Sequence, residues 1–112
     1  MAHEIKFWDH SKRLDWFRAR ALSRMILERP EILGELSECI EKTWGHDPFN
    51  QRSLHLWRKM VVMSPQEFAD FVLADDLEAV DARESYPPFF ILTQEARLEF
   101  IAQARREVAL AP

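Results

Sequence analysis

Glycine occurs only twice in this chain of 112 residues, at Gly34 and Gly45. β-Sandwiches and barrels reverse direction every few residues and rely on glycine for the left-handed conformations of tight hairpins. A chain with two glycines has few places for such turns, so helices joined by short loops are expected. The length suits one domain, and 47% apolar with 30% charged residues is an ordinary globular balance. At this size folding buries about two thirds of the unfolded surface, enough for a core without metal or disulfide. The expected architecture is all-α: a compact bundle of five or six short helices over residues 1–112, with 1–8 as a lead-in bearing Phe7 and Trp8.

Punctuation along the chain divides these helices. Asp9 or Ser11 can cap a first helix on which Leu14, Phe17, Ala21 and Met25 recur at helical spacing, with Leu22 beside them. It should stop near Arg29, because Pro30 disfavours helical geometry in the residue before it. Pro30 and Glu31 suit the start of a second helix, with Leu33, Leu36, Ile40 and Trp44 on one stripe and Gly45 as its cap. A third helix is expected from Gln51 to Val62, with Leu54, Trp57 and Val61 sharing a face and Leu56 and Met60 flanking it. Ser64, Pro65 and Glu67 form the capping-box pattern of a fourth, whose apolar edge is Phe68, Phe71 and Val72. A short fifth helix is capped by Asp75 or Asp76, and Thr93 caps a last helix bearing Leu98, Ile101, Arg105 and Val108 on one side.

Several chemistries lack their residues. His3, His10, His46 and His55 include no pair at the i, i+4 spacing that puts two metal ligands on one helix face. No serine lies in a glycine-flanked elbow, and no glycine-rich loop can cradle phosphate. Cys39 is the only cysteine, cannot form an internal disulfide and reads as a small buried apolar residue. The N-terminal segment has no apolar signal core, and the run "FFIL" is far too short to cross a bilayer, so a cytoplasmic protein is expected. These features point away from an enzyme, and no cofactor or metal is expected.

The third and fourth helices have helix-turn-helix dimensions, but the second of the pair carries Gln66, Glu67 and Asp70 and no Arg or Lys to read a base. Net charge is −4, opposite to that of a general nucleic-acid binder. The charge is nonetheless segregated. The acids Glu67, Asp70, Asp75, Asp76, Glu78, Asp81 and Glu84 face one base, Arg83, in their segment. The bases Lys12, Arg13, Arg18, Arg20, Arg24 and Arg29 dominate the first helix. Either these are two solvated faces packed against each other, or the acidic one steers a basic partner. A nucleic-acid-binding regulator using Arg13, Arg18, Arg20 and Arg24 is the alternative function.

The segment "YPPFFIL", Tyr86 to Leu92, is the remaining feature. Two prolines favour an extended, polyproline-like backbone, in which successive side chains point in different directions. Phe89 and Phe90 should then differ in burial: one ring plugs the core while another meets a partner protein or a second copy of the chain. Full internal burial is the other reading.

From Leu54 onward, Trp57, Arg83, Ser85, Pro88, Phe89, Leu92, Thr93, Glu95 and Arg97 make up a Trp-containing helix, an "R-x-S-x-P-F" stretch and an "LT-x-E-x-R" helix start. In these residues the chain resembles a group of small, mostly uncharacterised bacterial all-α proteins that are antitoxin-like or accessory to a neighbouring gene product. The resemblance covers the C-terminal half, and Leu14 to Leu36 fit the group's first two helices; Tyr86 and the doubled Pro87-Pro88 depart from its pattern. It implies a non-catalytic interaction module, a neutralising partner of a toxin or other neighbouring product. The expected partner-binding residues are Tyr86, Phe89, Phe90, Asp75, Asp76 and Asp81.

Overall fold

The computed structural model describes residues 10–110, with side chains from 12 to 106. The expectations for Phe7, Trp8, Asp9, Ser11 and Val108 lie outside the described residues and side chains. Six α-helices follow one another: α1 (His10–Glu28), α2 (Ile32–Trp44), α3 (Gln51–Met60), α4 (Pro65–Val72), α5 (Leu77–Arg83) and α6 (Gln94–Leu110). One 3-10 helix, Pro87–Ile91, precedes α6, and no strand occurs among the described residues. The chain is an all-α bundle.

α1 is its axle. It packs against α6, α4, α5, α2 and the 3-10 helix. With neighbours on several sides, its buried residues are not one stripe: Phe17, Ala19, Leu22, Ser23 and Ile26 are all inside, while Leu14, Ala21 and Met25 are only partly covered. Below it, α2 contributes Ile32, Leu33, Leu36, Ile40 and Trp44, and α3 contributes Leu54, Trp57 and Met60. Trp57 is fully buried, with its ring 5.9 Å from Phe68 of α4 and 5.6 Å from Phe89 of the 3-10 helix. One indole thus joins three elements that are distant in sequence.

The helix ends follow local chemistry. At α4 the Ser64 hydroxyl accepts from the Glu67 N–H at 3.2 Å, and the Ser64 N–H donates to the Glu67 carboxylate at 3.0 Å. The carboxylate of Asp76, rather than that of Asp75, caps α5 by accepting from the Ala79 N–H at 2.9 Å. Thr93 Oγ1 accepts from the Ala96 N–H at 3.1 Å at the start of α6. Pro30 stands two positions before the first helical residue rather than at it: it belongs to a tight turn in which its carbonyl accepts from Leu33 N–H at 3.1 Å, and the α-helix begins at Ile32. Gly45 does end α2, but with a right-handed backbone; any Cβ there would run into the carbonyl oxygen of Glu41. α3 stops at Met60, which takes the core position expected for Val61.

Further expectations are corrected. The buried face of α6 is Phe100 and Ala104, with Ala96 one i−4 step behind; Leu98 is 60% exposed and Arg105 is exposed. Residues 96, 100 and 104 form one row along the helix, and burying a phenylalanine ring on it removes more apolar surface from water than burying Leu98 would. Another correction concerns Tyr86 to Leu92, which is coiled into a 3-10 helix rather than extended. Its prolines occupy the first helical positions, where a missing N–H costs nothing because those N–H groups have no intrahelical partner. Phe89 is the first residue after them that must place its N–H, and it donates to the Tyr86 carbonyl at 2.9 Å. The carbonyl of Pro87 faces Cys39 of α2, whose thiol donates to it across 3.7 Å. Cys39 is therefore half-buried beneath this turn rather than enclosed in the core.

Candidate functional site

The tight coil of the 3-10 helix decides where its rings go. Three residues per turn bring i and i+3 onto one side, so Tyr86 and Phe89 lie along one edge while Phe90 is turned away by a third of a revolution. Phe89 is 2% exposed, Tyr86 55% and Phe90 65%. Phe89 plugs the core edge-on to Trp57, and Tyr86 and Phe90 stand at the surface.

Under Tyr86 and Phe89 lies a guanidinium. The central carbon of Arg18 is 4.4 Å from the Tyr86 ring centre and 4.3 Å from that of Phe89, both within cation–π range. Arg18 Nη2 donates to the backbone carbonyl of Arg83 and lies 3.4 Å from the Asp15 carboxylate, one helical turn earlier. Arg83 in turn reaches back along α5 and donates to the carbonyls of Val72 at 2.9 Å and Ala74 at 2.6 Å. Asp15, Arg18 and Arg83 are all buried. Burial holds both guanidinium pKa values below their ordinary value and pushes the Asp15 carboxyl up, against the pull of Arg18. This polar seam ties α1 to α5 and sets the height of the aromatic turn above them.

Two clefts flank Tyr86. The larger, of about 480 Å³, runs past Trp44, Arg52, Asp81, Glu84, Ser85 and Pro87. Its charges already have partners in the chain: Arg52 bridges to Asp81 at 2.7 Å, and Lys12 to Glu84 at 3.1 Å. The smaller, of about 170 Å³, is floored by Phe89, Leu92 and Phe100, with Tyr86 and Phe90 as rim and Arg18 and Arg97 as its charged lining. The size of the larger cleft does not make it the better site. The smaller one has two exposed rings, Tyr86 and Phe90, over a floor of three apolar side chains.

The other expected site residues are dispersed. Asp81 is bound to Arg52, and Asp76 is occupied in capping α5. Glu78 pairs with Lys59 at 3.0 Å, and Asp75 acts electrostatically on Arg83. Phe89 is inside, so it shapes the site from below and presents no surface. Of the four arginines of the nucleic-acid alternative, Arg18 is buried, and Arg20 lies 5.9 Å and 5.7 Å from the Trp16 and Phe17 ring centres. Arg24 is exposed and Arg13 partly so. A continuous cationic strip does not form, because neighbouring helices cover α1 on several sides.

Sequence reasoning missed Arg18 as the support of the rings, and missed Arg97, Leu92 and Phe100 as lining. Arg18 was visible in one respect: it stands i+4 from Leu14 and i−4 from Leu22, within the apolar arc of α1. No group of three or more His, Cys, Asp or Glu side chains placed to hold a metal ion occurs among the described residues. Among them, no helix is long and apolar enough to cross a membrane. Comparison with protein-family models, with curated proteins and with solved structures finds no match.

Proposed function

We propose that this chain is a non-catalytic interaction module that docks another protein on the aromatic edge formed by Tyr86 and Phe90. The observation that carries the reading is the contrast at adjacent positions: Phe89 is 2% exposed and Phe90 65%, and the exposed ring stands at the rim of an apolar cleft. Isolated exposed rings are common, but a ring beside a preformed apolar cleft offers both a knob and a hole to a partner. The support is rigid. Tyr86 and Phe89 rest on Arg18, itself held by Asp15 and the Arg83 carbonyl, so docking orders few side chains. In the form implied by the antitoxin-like resemblance, the chain neutralises the product of a neighbouring gene by covering part of its surface.

The test is co-purification of the full chain with that neighbouring product. A complex stable at micromolar concentration, weakened by Phe90→Ala while helicity is retained, is the expected result. No complex, or one indifferent to both Phe90→Ala and Tyr86→Ala, would remove the proposal.

A further inference from the structure

Charge around the small cleft says which kind of surface fits it. The acids of α5 and of its C-cap are compensated within the chain: Glu78 by Lys59, Asp81 by Arg52 and the capping Glu84 by Lys12. The cation nearest the rings below, Arg18, has Asp15. Arg97 is different. It lines the cleft on α6, and its guanidinium donates to the carbonyl of Phe90 at 3.3 Å; no carboxylate among the described residues pairs with it. A carbonyl takes one of the five N–H donors of an arginine and leaves the fork able to accept a carboxylate. The cleft thus has an apolar floor of Phe89, Leu92 and Phe100 and one uncompensated positive charge on its rim.

Resting on the docking role just proposed, we infer that the cleft beside Phe90 takes an acidic–apolar segment of the partner, an aromatic or large aliphatic side chain on the floor with a neighbouring carboxylate on Arg97. The sign is opposite to the one suggested by the run of acids from Glu67 to Glu84. Of those acids, Glu78, Asp81 and Glu84 are paired with cations of this chain, and none of the seven lines the cleft. Charges beyond a Debye length, about 10 Å at moderate salt, contribute little to a contact made at the cleft itself. A volume of about 170 Å³ admits one large side chain, not a folded surface, so the recognised unit is a short segment.

Three capped tripeptides serve as probes, aspartate–phenylalanine–aspartate, lysine–phenylalanine–lysine and aspartate–alanine–aspartate, titrated into the isotope-labelled full chain. The readout is the NMR shift of the Phe90, Leu92 and Arg97 amides. The acidic phenylalanine peptide is expected to move these amides at millimolar concentration and to bind tighter than the basic one by roughly a factor of five, the scale of a rim charge pair gained against one repelled. The alanine peptide is expected to leave them in place. Arg97→Glu should reverse the preference. Arg97→Gln, which keeps a donor for the Phe90 carbonyl, should abolish it with ring binding retained, and guards against a fold defect in the first variant.

Equal binding of the acidic and basic peptides overturns the inference. If the neighbouring product still binds in a Phe90-dependent way, the docking role survives that result. If no peptide moves the amides and the complex ignores Phe90→Ala, both fall. Shifts of the same amides on raising protein concentration without peptide would show a second copy in the cleft, and would also overturn it.

Discussion

Phe89 and Phe90 are chemically identical neighbours that belong to different parts of the molecule. Phe89 meets Trp57 edge-on at 5.6 Å and shares the interior with Phe68, which Trp57 also touches. Phe90 shares a surface rim with Tyr86 and Arg97. Inside, rings are fixed by packing from α3, α4 and the 3-10 helix. Outside, the rim is fixed from beneath by a polar seam of Asp15, Arg18 and Arg83. The comparison separates two roles that a row of apolar residues merges. A run such as "FFIL" says only that much apolar surface must go somewhere; the backbone's period, about three residues per turn here, apportions it between core and surface.

The largest effect expected from breaking this comparison is on the inner side. Phe89→Ala should cost about 3–5 kcal/mol, the usual cost of truncating a buried ring, because it leaves a cavity against Trp57. Chemical unfolding with both fluorescence and circular dichroism will measure it. Next is Arg18→Met, which strips the support from Tyr86 and Phe89 and leaves Asp15 buried without its nearest cation. A loss of about 2 kcal/mol at neutral pH is expected for removing a charged hydrogen-bond partner.

That loss should depend on pH. The Asp15 carboxyl is already raised by burial, and Arg18 is the strongest influence lowering it. Without Arg18 it rises further. A carboxyl raised in the folded state favours folding at low pH, and that contribution disappears as pH climbs through the folded value. The penalty of Arg18→Met should therefore shrink on acidification, and a penalty independent of pH would count against the buried pair.

Smaller effects belong to sites away from the rings. Ser64→Ala should cost about 1 kcal/mol through loss of the α4 cap. Its companion Glu67 is held below its ordinary carboxylate value by the Ser64 N–H. The stability it brings is present in full above that ordinary value and is lost as pH falls through the lowered one. Glu67→Gln should remove this slope, which urea midpoints at several pH values will show. Smallest of all, Phe90→Ala should change stability by no more than about 0.5 kcal/mol, as for a surface position.

How far the sequence discloses this structure depends on whether a signal is local. The α4 capping box, the Asp76 and Thr93 caps and the all-helical class are written in residues within four positions of one another. Burial on α1 and α6 is not, since it depends on which helix lies alongside. The i, i+4 row of Ala96, Phe100 and Ala104 is as periodic as the expected Leu98 and Ile101 stripe, and only the packing of α6 on α1 selects between them. The aromatic turn was legible in part. That its two phenylalanines differ in burial is expected, because adjacent side chains point in different directions along an extended or a coiled backbone alike. Which one is inside stays open on the polyproline reading of Pro87-Pro88 and is decided by the coiled turn, which places Phe89 against Trp57. Arg18 and Arg97 were out of reach because their meaning lies in partners 65 and 7 residues away respectively, the Arg83 and Phe90 carbonyls.

The division between inner and outer ring is most directly tested by a paired measurement on Phe89→Ala and Phe90→Ala: the unfolding midpoint of each variant, and its retention of the neighbouring gene product. The expected result is a crossed pattern. Phe89→Ala lowers the midpoint sharply, while Phe90→Ala keeps the midpoint of the parent chain and loses the partner. Equal destabilisation by the two substitutions, or partner binding untouched by Phe90→Ala, would contradict it.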